Sequence, residues 1–499
     1  MTLSAEMFIR ADGNSSIGFG HLMRALAFAN HAKSISKVSL VIRNPDQIAQ
    51  EACLHYDIQL LDISHISLED EAFYLGKLAG QGKIVFLDGY SFDALYQQQV
   101  KQSGCFLVCM DDHHDRMFLA DCIINVAELE DPAKVLRKIS SRLVYGLKYA
   151  LIRPEFSINS QYTDKKDQVF VCFGGGAETL PLIDKTLQAL SLANLSLDKI
   201  LVVLNEKLIP QVKDLHSSKF AELPLELLSN QSSSAIANLI SNSRIGICSS
   251  STVSLECRAL GLPILSGYFV ANQKGIYNSL IKNHEIPALG NLQDISTEFL
   301  VDSIVHLWKS HQDYAKSVLH PDQIQKQYLR LIQSWFVEME FSIRKATAGD
   351  VELYLDWANQ PDVRLNAINS DPIIPENHRK WFASRIQSET TKLYVGVWNG
   401  KPVGQIRFDL HNGAWEIDYS VDANFRNMGI GELLIRKGMQ ELFNEIGENL
   451  LVVGLVKFNN LPSAEVFKKM HFSENQTETR SGIELSSFSY RLSSQLLSL

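Results

Sequence analysis

The 499-residue sequence has no uninterrupted apolar stretch long enough to span a bilayer, and its opening MTLSAEMFIR lacks the charged start and long apolar segment of a secretory signal. These absences point to the cytoplasm and to no membrane partner. Basic charge is also scarce: 47 Lys and Arg against 56 Asp and Glu leave a net charge of −9. A nucleic-acid partner is not expected, because a phosphate backbone calls for a basic face. Only seven cysteines occur, all between Cys53 and Cys257 and none in a CxxC pair. They read as reduced, buried thiols rather than as a disulfide or zinc framework. No low-complexity segment is present, and the only internal likeness is a loose one between two α/β halves. What remains is an ordinary globular composition, 45% apolar and 21% charged, in a chain long enough for roughly two to four domains.

Strand and helix signals alternate through the first 290 residues. EMFIRADG (6–13), KVSLVIR (37–43), KIVFLDGY (83–90) and CFLVCMDD (105–112) are β-rich runs ending in polar or glycine residues, with helical stretches between them. The pattern predicts a parallel sheet covered by helices, whose ligands gather at the carboxyl ends of the strands. Asp88, Tyr90, Asp111 and Asp112 fall at those ends. A polar, proline-containing segment (151–167) reads as a crossover to a second α/β unit. That unit opens on QVFVCFGGGAET (168–179), whose Gly174, Gly175 and Gly176 can offer backbone N–H groups to a phosphate. RIGICSSSTVSLECRALGLPIL (244–265) repeats the plan with Ser249, Ser250, Ser251 and Thr252 at the turn and Glu256 one helical turn later. Ser, Thr and an acid are also ordinary helix-start residues, so this loop has a purely structural reading as well.

IGFGHLMRALAFA (17–29) places Gly18, Gly20 and His21 where a strand gives way to a helix. Such a junction favours an anion, and glycine lets the backbone approach it closely. His21 either caps and packs or acts on a bound ligand. Three phosphate-compatible loops in two similar halves favour a nucleotide-sugar cleft.

FIRADGNSSIGFGHLMRALAFA, YALIRPEF, FGGGAE and SSSTVSLECRALGLPIL, followed by ANQ (271–273), resemble in order the UDP-sugar hydrolase family of pseudaminic acid biosynthesis. The resemblance spans roughly residues 5–290. It implies two Rossmann-like domains in a glycosyltransferase-B-like arrangement (1–155 and 156–340, the latter with a helical connector). It also implies metal-independent, inverting hydrolysis of UDP-2,4-diacetamido-2,4,6-trideoxy-β-L-altropyranose. By that resemblance His21 activates water, and Tyr90 and Asn272 complete the catalytic set. Gly18, Gly20, Arg24, Gly174, Gly175, Gly176, Ser250, Ser251, Thr252, Glu256 and Gln273 bind the nucleotide sugar, with Glu256 on the ribose. The residue types suit the chemistry: hydrolysis at an anomeric carbon needs an activated water and donors for the leaving diphosphate. An imidazole with an ordinary pKa near 6.5 can take the proton, and Asp12 is placed to orient its ring. The run DDHHD (111–115) has the composition of a metal cluster, but adjacent histidines point apart in most backbones. It reads as a solvated loop, and no metal is expected.

Residues 291–340 show apolar positions every three or four and read as helices that pack back and lead to a third domain, 341–499. There KLYVGVWNGKPVGQIRFDL (392–410) carries a hairpin signal at NGK. WEIDYSVDANFRNMGIGELLIRKGMQELF (415–443) sets glycines between a strand and a helix. With LVVGLVKFNNLPSAEVFKKMHF (451–472), this stretch resembles the GCN5-related N-acetyltransferase family, an α+β fold that uses acetyl-CoA. The resemblance gives Val421 a backbone pairing with the pantetheine arm, gives Arg426 to Gly431, Gly429 included, the pyrophosphate, and puts Asn460 and Ser463 against the cofactor. The chain departs from that family at His471, where glycine is usual, and at Phe467, where a tyrosine commonly protonates the thiolate. Either Tyr490 in SFSYRL replaces that acid or the thiolate leaves unassisted, Tyr490 then being a half-buried strand aromatic; Glu416 or Asp418 relays the proton of the amine. The fusion predicts a bifunctional enzyme that N-acetylates a UDP-4-amino sugar and hydrolyses the UDP-linked product. The rival assignment is a glycosyltransferase using an acceptor other than water, with a regulatory acetyl-CoA-binding domain.

Overall fold

A computed structural model describes residues 5–14, 18–113, 116–157, 166–314, 317, 319–447 and 449–492. The first unit contains β1 (Met7–Ala11), α1 (Gly20–Ala32), β2 (Val38–Ile42), α2 (Gln47–His55), β3 (Gln59–Asp62), α3 (Glu71–Ala79), β4 (Ile84–Asp88), α4 (Ala94–Lys101), β5 (Phe106–Met110), β6 (Cys122–Asn125) and β7 (Arg142–Tyr145). Its strands are fully parallel in the order β3-β2-β1-β4-β5-β6-β7. MFIRA, IVFLD and FLVCM are buried along their whole length, as strands covered on both faces must be. The chain runs outward in opposite directions from β1 and β4, so the loops after these two neighbours flank a crevice where ligands collect in open α/β sheets.

The second unit holds β8 (Gln168–Cys172), α5 (Leu180–Leu192), β9 (Lys199–Val203), α6 (Ile209–Lys219), β10 (Leu225–Leu228), α7 (Ser233–Asn242), β11 (Ile245–Ser249), α8 (Thr252–Ala259), β12 (Ile264–Gly267), α9 (Lys274–Lys282) and α10 (Thr297–Ser310). Its parallel sheet, ordered β10-β9-β8-β11-β12, has the same kind of reversal between β8 and β11. The glycine loop and the Ser/Thr loop follow those two strands. Helix α11 (Pro321–Met339) then returns to the first unit, where Tyr328, Leu331, Trp335 and Phe336 share a core with Phe28, Phe86 and Phe106.

The third unit comprises β13 (Phe341–Lys345), α12 (Val351–Ala358), α13 (Pro361–Asn366), α14 (Pro375–Arg385), β14 (Thr391–Trp398), β15 (Lys401–His411), β16 (Ala414–Val421), α15 (Ile430–Ile446), β17 (Leu450–Lys457), α16 (Leu461–Lys469), β18 (Ser473–Glu474), β19 (Glu478–Arg480) and β20 (Ile483–Leu492). The sheet is antiparallel except that β16 and β17 run parallel, hydrogen-bonded only from Ala414–Ile417 to Leu451–Gly454. Beyond Ile417 and Gly454 both strands continue but diverge, leaving a fork. Helices α15 and α16 cover one face, while Tyr354, Trp357 and Phe382 pack on Leu393 and Val395 on the other.

This unit is fastened to the rest by buried charge. Arg142 Nε of β7 lies 2.7 Å from Glu432 of α15, and Arg436 holds both oxygens of Glu338 at the end of α11, each at 2.7 Å. All seven cysteines are free thiols; six are buried and Cys172 is half-buried. Among the described residues no helix is long and apolar enough to cross a membrane.

Candidate active site

His21, the second residue of α1, directs Nδ1 at Asp88 Oδ1, 2.8 Å away. Asp88 ends β4 beside Ala11 of β1 and is fully buried. Arg24, one turn along α1, contacts Asp88 through Nε (2.8 Å) and Nη2 (2.5 Å) and Asp112 through Nη1 and Nη2 (2.8 Å each). Burial alone would raise the Asp88 carboxyl; the Arg24 guanidinium overrides this and, with hydrogen bonds from Arg24 and His21, holds it well below the usual carboxylate range. Against an ionised Asp88 the Nδ1 position acts as a donor, although Arg24 Nη2 is also 3.3 Å from that nitrogen, and Nε2 is the ring atom left to meet a ligand.

Tyr90, in the loop after β4, stands edge-on to His21 with ring centres 4.7 Å apart, and His113 lies 4.8 Å away. Its hydroxyl accepts from Asn272 Nδ2 at 2.9 Å, and Asp112 Oδ2 is 3.4 Å away. Burial and the Asp112 charge raise its pKa, so it remains a phenol. Asn272 belongs to a short 3-10 turn, Ala271–Gln273, that follows β12, so this bond joins the two α/β units across their facing strand ends. Asn272 Oδ1 has no hydrogen-bond partner among the described residues. The structure therefore brings His21, Tyr90 and Asn272 together.

Asp12, Arg24, Glu256, Ser250 and Gln273 are engaged by other partners. Asp12 does not orient His21. Arg10, near the end of β1 and two residues earlier in the chain, binds both Asp12 oxygens (2.5 and 2.8 Å), and the Arg43 N–H adds a third bond at 3.0 Å. Asp88 takes the orienting role. The donors of Arg24 are spent on two carboxylates rather than offered to a ligand. Glu256 is withdrawn from the cleft: it is buried, and Arg153 holds its two oxygens at 2.6 and 2.8 Å, tying the crossover to α8. Ser250 is buried with its Oγ on Ser266 (2.8 Å) and its N–H on Gly267 O (2.8 Å). Gln273 caps the Phe269 N–H at 3.0 Å. Gly18, Gly20, Gly174 and Gly175 are exposed, while Gly176, Ser251 and Thr252 are half-buried. Gly174 has a φ of +106°, which an L side chain would strain. In the DDHHD run, His114 and Asp115 lie outside the described residues. Among the described residues no group of three or more His, Cys, Asp or Glu could hold a metal ion.

In the third unit Gly429 (φ +80°) starts α15, and Gly431 passes so close to β16 that a Cβ there would meet the Tyr419 ring at 3.2 Å. Val421 and Arg426 lie on the β16 bank of the fork. Asn460 caps α16 by accepting the Ser463 N–H (3.4 Å), and the Ser463 and Tyr419 hydroxyls are 3.0 Å apart. Tyr490 is not at the fork. It pairs with Val452 in the closed part of the sheet and packs on Phe472, ring centres 5.2 Å apart. Glu416 also lies in the closed part, with Arg480 at 2.7 Å. Asp418 is the first residue beyond the paired segment, is half-exposed, and meets Arg407 at 2.6 Å. Phe467 is buried over Gly454, whose position would put a Cβ 2.3 Å from the ring.

Sequence comparison agrees with this division. Residues 357–472 match the acetyltransferase (GNAT) family. The N-terminal part is similar to the UDP-2,4-diacetamido-2,4,6-trideoxy-beta-L-altropyranose hydrolase of Campylobacter jejuni, with 28% identity over 292 residues, 56% of this chain and 96% of the relative. An uncharacterized protein of Methanocaldococcus jannaschii is 20% identical over 401 residues, 76% of this chain and 78% of that protein. Among solved structures, the ribosomal L7/L12 alpha-N-protein acetyltransferase RimL with coenzyme A aligns at 18% identity and a TM-score of 0.28, covering 31% of this chain and 96% of that one. An aminoglycoside acetyltransferase in complex with coenzyme A gives the same values.

Proposed function

We propose that this chain, which joins a part similar to a UDP-sugar hydrolase to an acetyltransferase (GNAT) region, carries out two successive steps on one UDP-linked amino sugar. The C-terminal unit acetylates the 4-amine of a UDP-4-amino sugar from acetyl-CoA. The two N-terminal units hydrolyse UDP-2,4-diacetamido-2,4,6-trideoxy-β-L-altropyranose to the free sugar and UDP, as in pseudaminic acid biosynthesis. The observation that carries the reading is His21 held on ionised Asp88 beside Tyr90, with Asn272 reaching in from the second unit.

In the hydrolytic step, His21 Nε2 takes a proton from water as its oxygen bonds to the anomeric carbon. The bond from that carbon to the diphosphate oxygen breaks, and UDP leaves as an anion, so no acid is needed on that side. Asn272 Oδ1 offers an acceptor to the water or to an acetamido N–H. The Gly174–Gly176 loop and the start of α8 at Ser251 and Thr252 supply backbone donors to the diphosphate.

In the acetyl step, the fork between β16 and β17 provides free strand edges for an extended pantetheine arm, and the turn Arg426–Gly431 offers N–H groups to a pyrophosphate. The amine nitrogen bonds to the thioester carbonyl carbon as the carbon–sulfur bond breaks, and Asp418 takes the amine proton on one face. On the other, the Ser463 and Tyr419 hydroxyls hold a proton for the departing sulfur, the role first given to Tyr490. The test is to incubate the protein with UDP-linked amino sugars, with and without acetyl-CoA, and identify products by mass spectrometry. Free diacetamido sugar and UDP, formed from the amine only when acetyl-CoA is added, support the reading. A glycosylated acceptor, or no acetylated product, contradicts it.

A further inference from the structure

The open end of the fork is bridged by the segment 360–366. On the β16 bank, Arg426 donates from Nη1 to Asp362 (2.6 Å) and from Nη2 to Gln360 (2.7 Å), while its Nε reaches Val421 O (3.2 Å). On the β17 bank, Lys457 Nζ donates to Leu365 O at 2.9 Å. Between these anchors Arg364 ties the segment to its own flanks, donating to Ala358 O (2.7 Å), Asp371 O (3.1 Å) and Asn369 O (3.2 Å). Thus α13 runs from one diverging strand to the other as a strap over the mouth. The Arg426 guanidinium also occupies a main-chain carbonyl on the free edge of β16.

We propose that this strap gates the acetyl-CoA site, and that an arriving pyrophosphate opens it by taking Arg426 from Asp362. The inference rests on the acetyl-CoA reading of the fork and adds a competition to it. Asp362 is 72% exposed and Arg426 30% exposed, so the pair that closes the strap is screened by water. Such pairs are weak and exchange readily for a more highly charged anion. The Lys457 anchor carries no carboxylate, so it holds the strap's other end without competing for the phosphate.

Calorimetric titration of the full chain with coenzyme A at low and at high salt tests the gate. Asp362→Asn is expected to bind two- to fivefold more tightly than the parent at low salt, the advantage disappearing at high salt. Lys457→Met is expected to speed hydrogen exchange in 360–366 and to raise the association rate. Equal or weaker binding by Asp362→Asn, while the parent binds coenzyme A, overturns the gate and leaves the acetyl-CoA reading standing. Failure of the parent to bind coenzyme A overturns that reading and the gate with it.

Discussion

The orientation of His21 depends on Asp88 staying ionised, and Asp88 stays ionised because Arg24 is locked against it. His21→Gln is therefore expected to slow UDP release by about 10²–10⁴-fold while acetyl-CoA consumption continues unchanged. Asp88→Asn should slow the same step, because an amide at that position no longer enforces the Nδ1–H tautomer. Separate assays of UDP release and thiol release check both, and a parallel loss of acetyl transfer would contradict the division of labour. A second histidine, His31, bears on stability. His31 stacks on Tyr328 with ring centres 5.3 Å apart, neither ring nitrogen has a hydrogen-bond partner among the described residues, and burial lowers its pKa to about 4. Its ordinary value is near 6.5, so between pH 6.5 and 4 the unfolded chain takes a proton that the folded chain refuses. Stability is complete above that window and falls by up to about 3 kcal/mol as the pH drops through it. His471, also lowered to about 4 by burial and by the nearby Arg137 charge, adds to the slope. Replacing His31 with Phe should flatten part of that acid loss in denaturant titrations; an unchanged slope would contradict it.

At the scale of elements, the proposed acetyl transfer requires that the fork decide which side chains reach the reacting atoms. Tyr419→Phe and Ser463→Ala should each lower the acetyl-transfer kcat by about tenfold or more, with coenzyme A affinity retained. Tyr490→Phe should leave kcat unchanged, since Tyr490 lies against Val452 where the strands are still paired. A loss confined to Tyr490→Phe would restore the first assignment. This element also shows what the sequence could disclose. Strand runs and glycine turns placed β1, β4, β5, β8, β11 and the loops that follow them, because buried parallel strands read as continuous apolar runs. The short QLLD and RLVY strands carry too few residues for such a signal. Partner choice was less visible still. Asp12 is near His21 in the chain, but just past the end of β1 it is taken by Arg10, whereas Asp88 comes from the neighbouring strand. Glu256 has the spacing to face a ligand, and only the fold reveals that Arg153, 103 residues away, claims it. Tyr490 reads as available in the sequence, which does not show where β16 and β17 part.

At the scale of the whole molecule, the third unit is built against the first sheet, its α15 meeting β7 and α11 through Arg142, Glu432, Arg436 and Glu338. The Glu338 carboxyl, which burial would raise, is instead lowered to about 2, chiefly by the Arg436 charge. Removing one partner from such a buried set leaves charge without compensation, at a cost of roughly 3–5 kcal/mol. Glu338→Ala should therefore lower the calorimetric unfolding temperature and let residues 341–492 melt ahead of the first unit; an unchanged profile would show that the cluster contributes nothing. The same docking would place the two proposed activities in one body, and the hydrolytic half is the claim on which the account turns. Its most direct test is turnover of the UDP-diacetamido sugar in ¹⁸O-labelled water, followed by mass spectrometry of both products. Attack of a His21-activated water on the anomeric carbon predicts one ¹⁸O in the released sugar and none in UDP, with both products nearly absent for His21→Gln. Label in UDP, or release by His21→Gln at the parent rate, would contradict it.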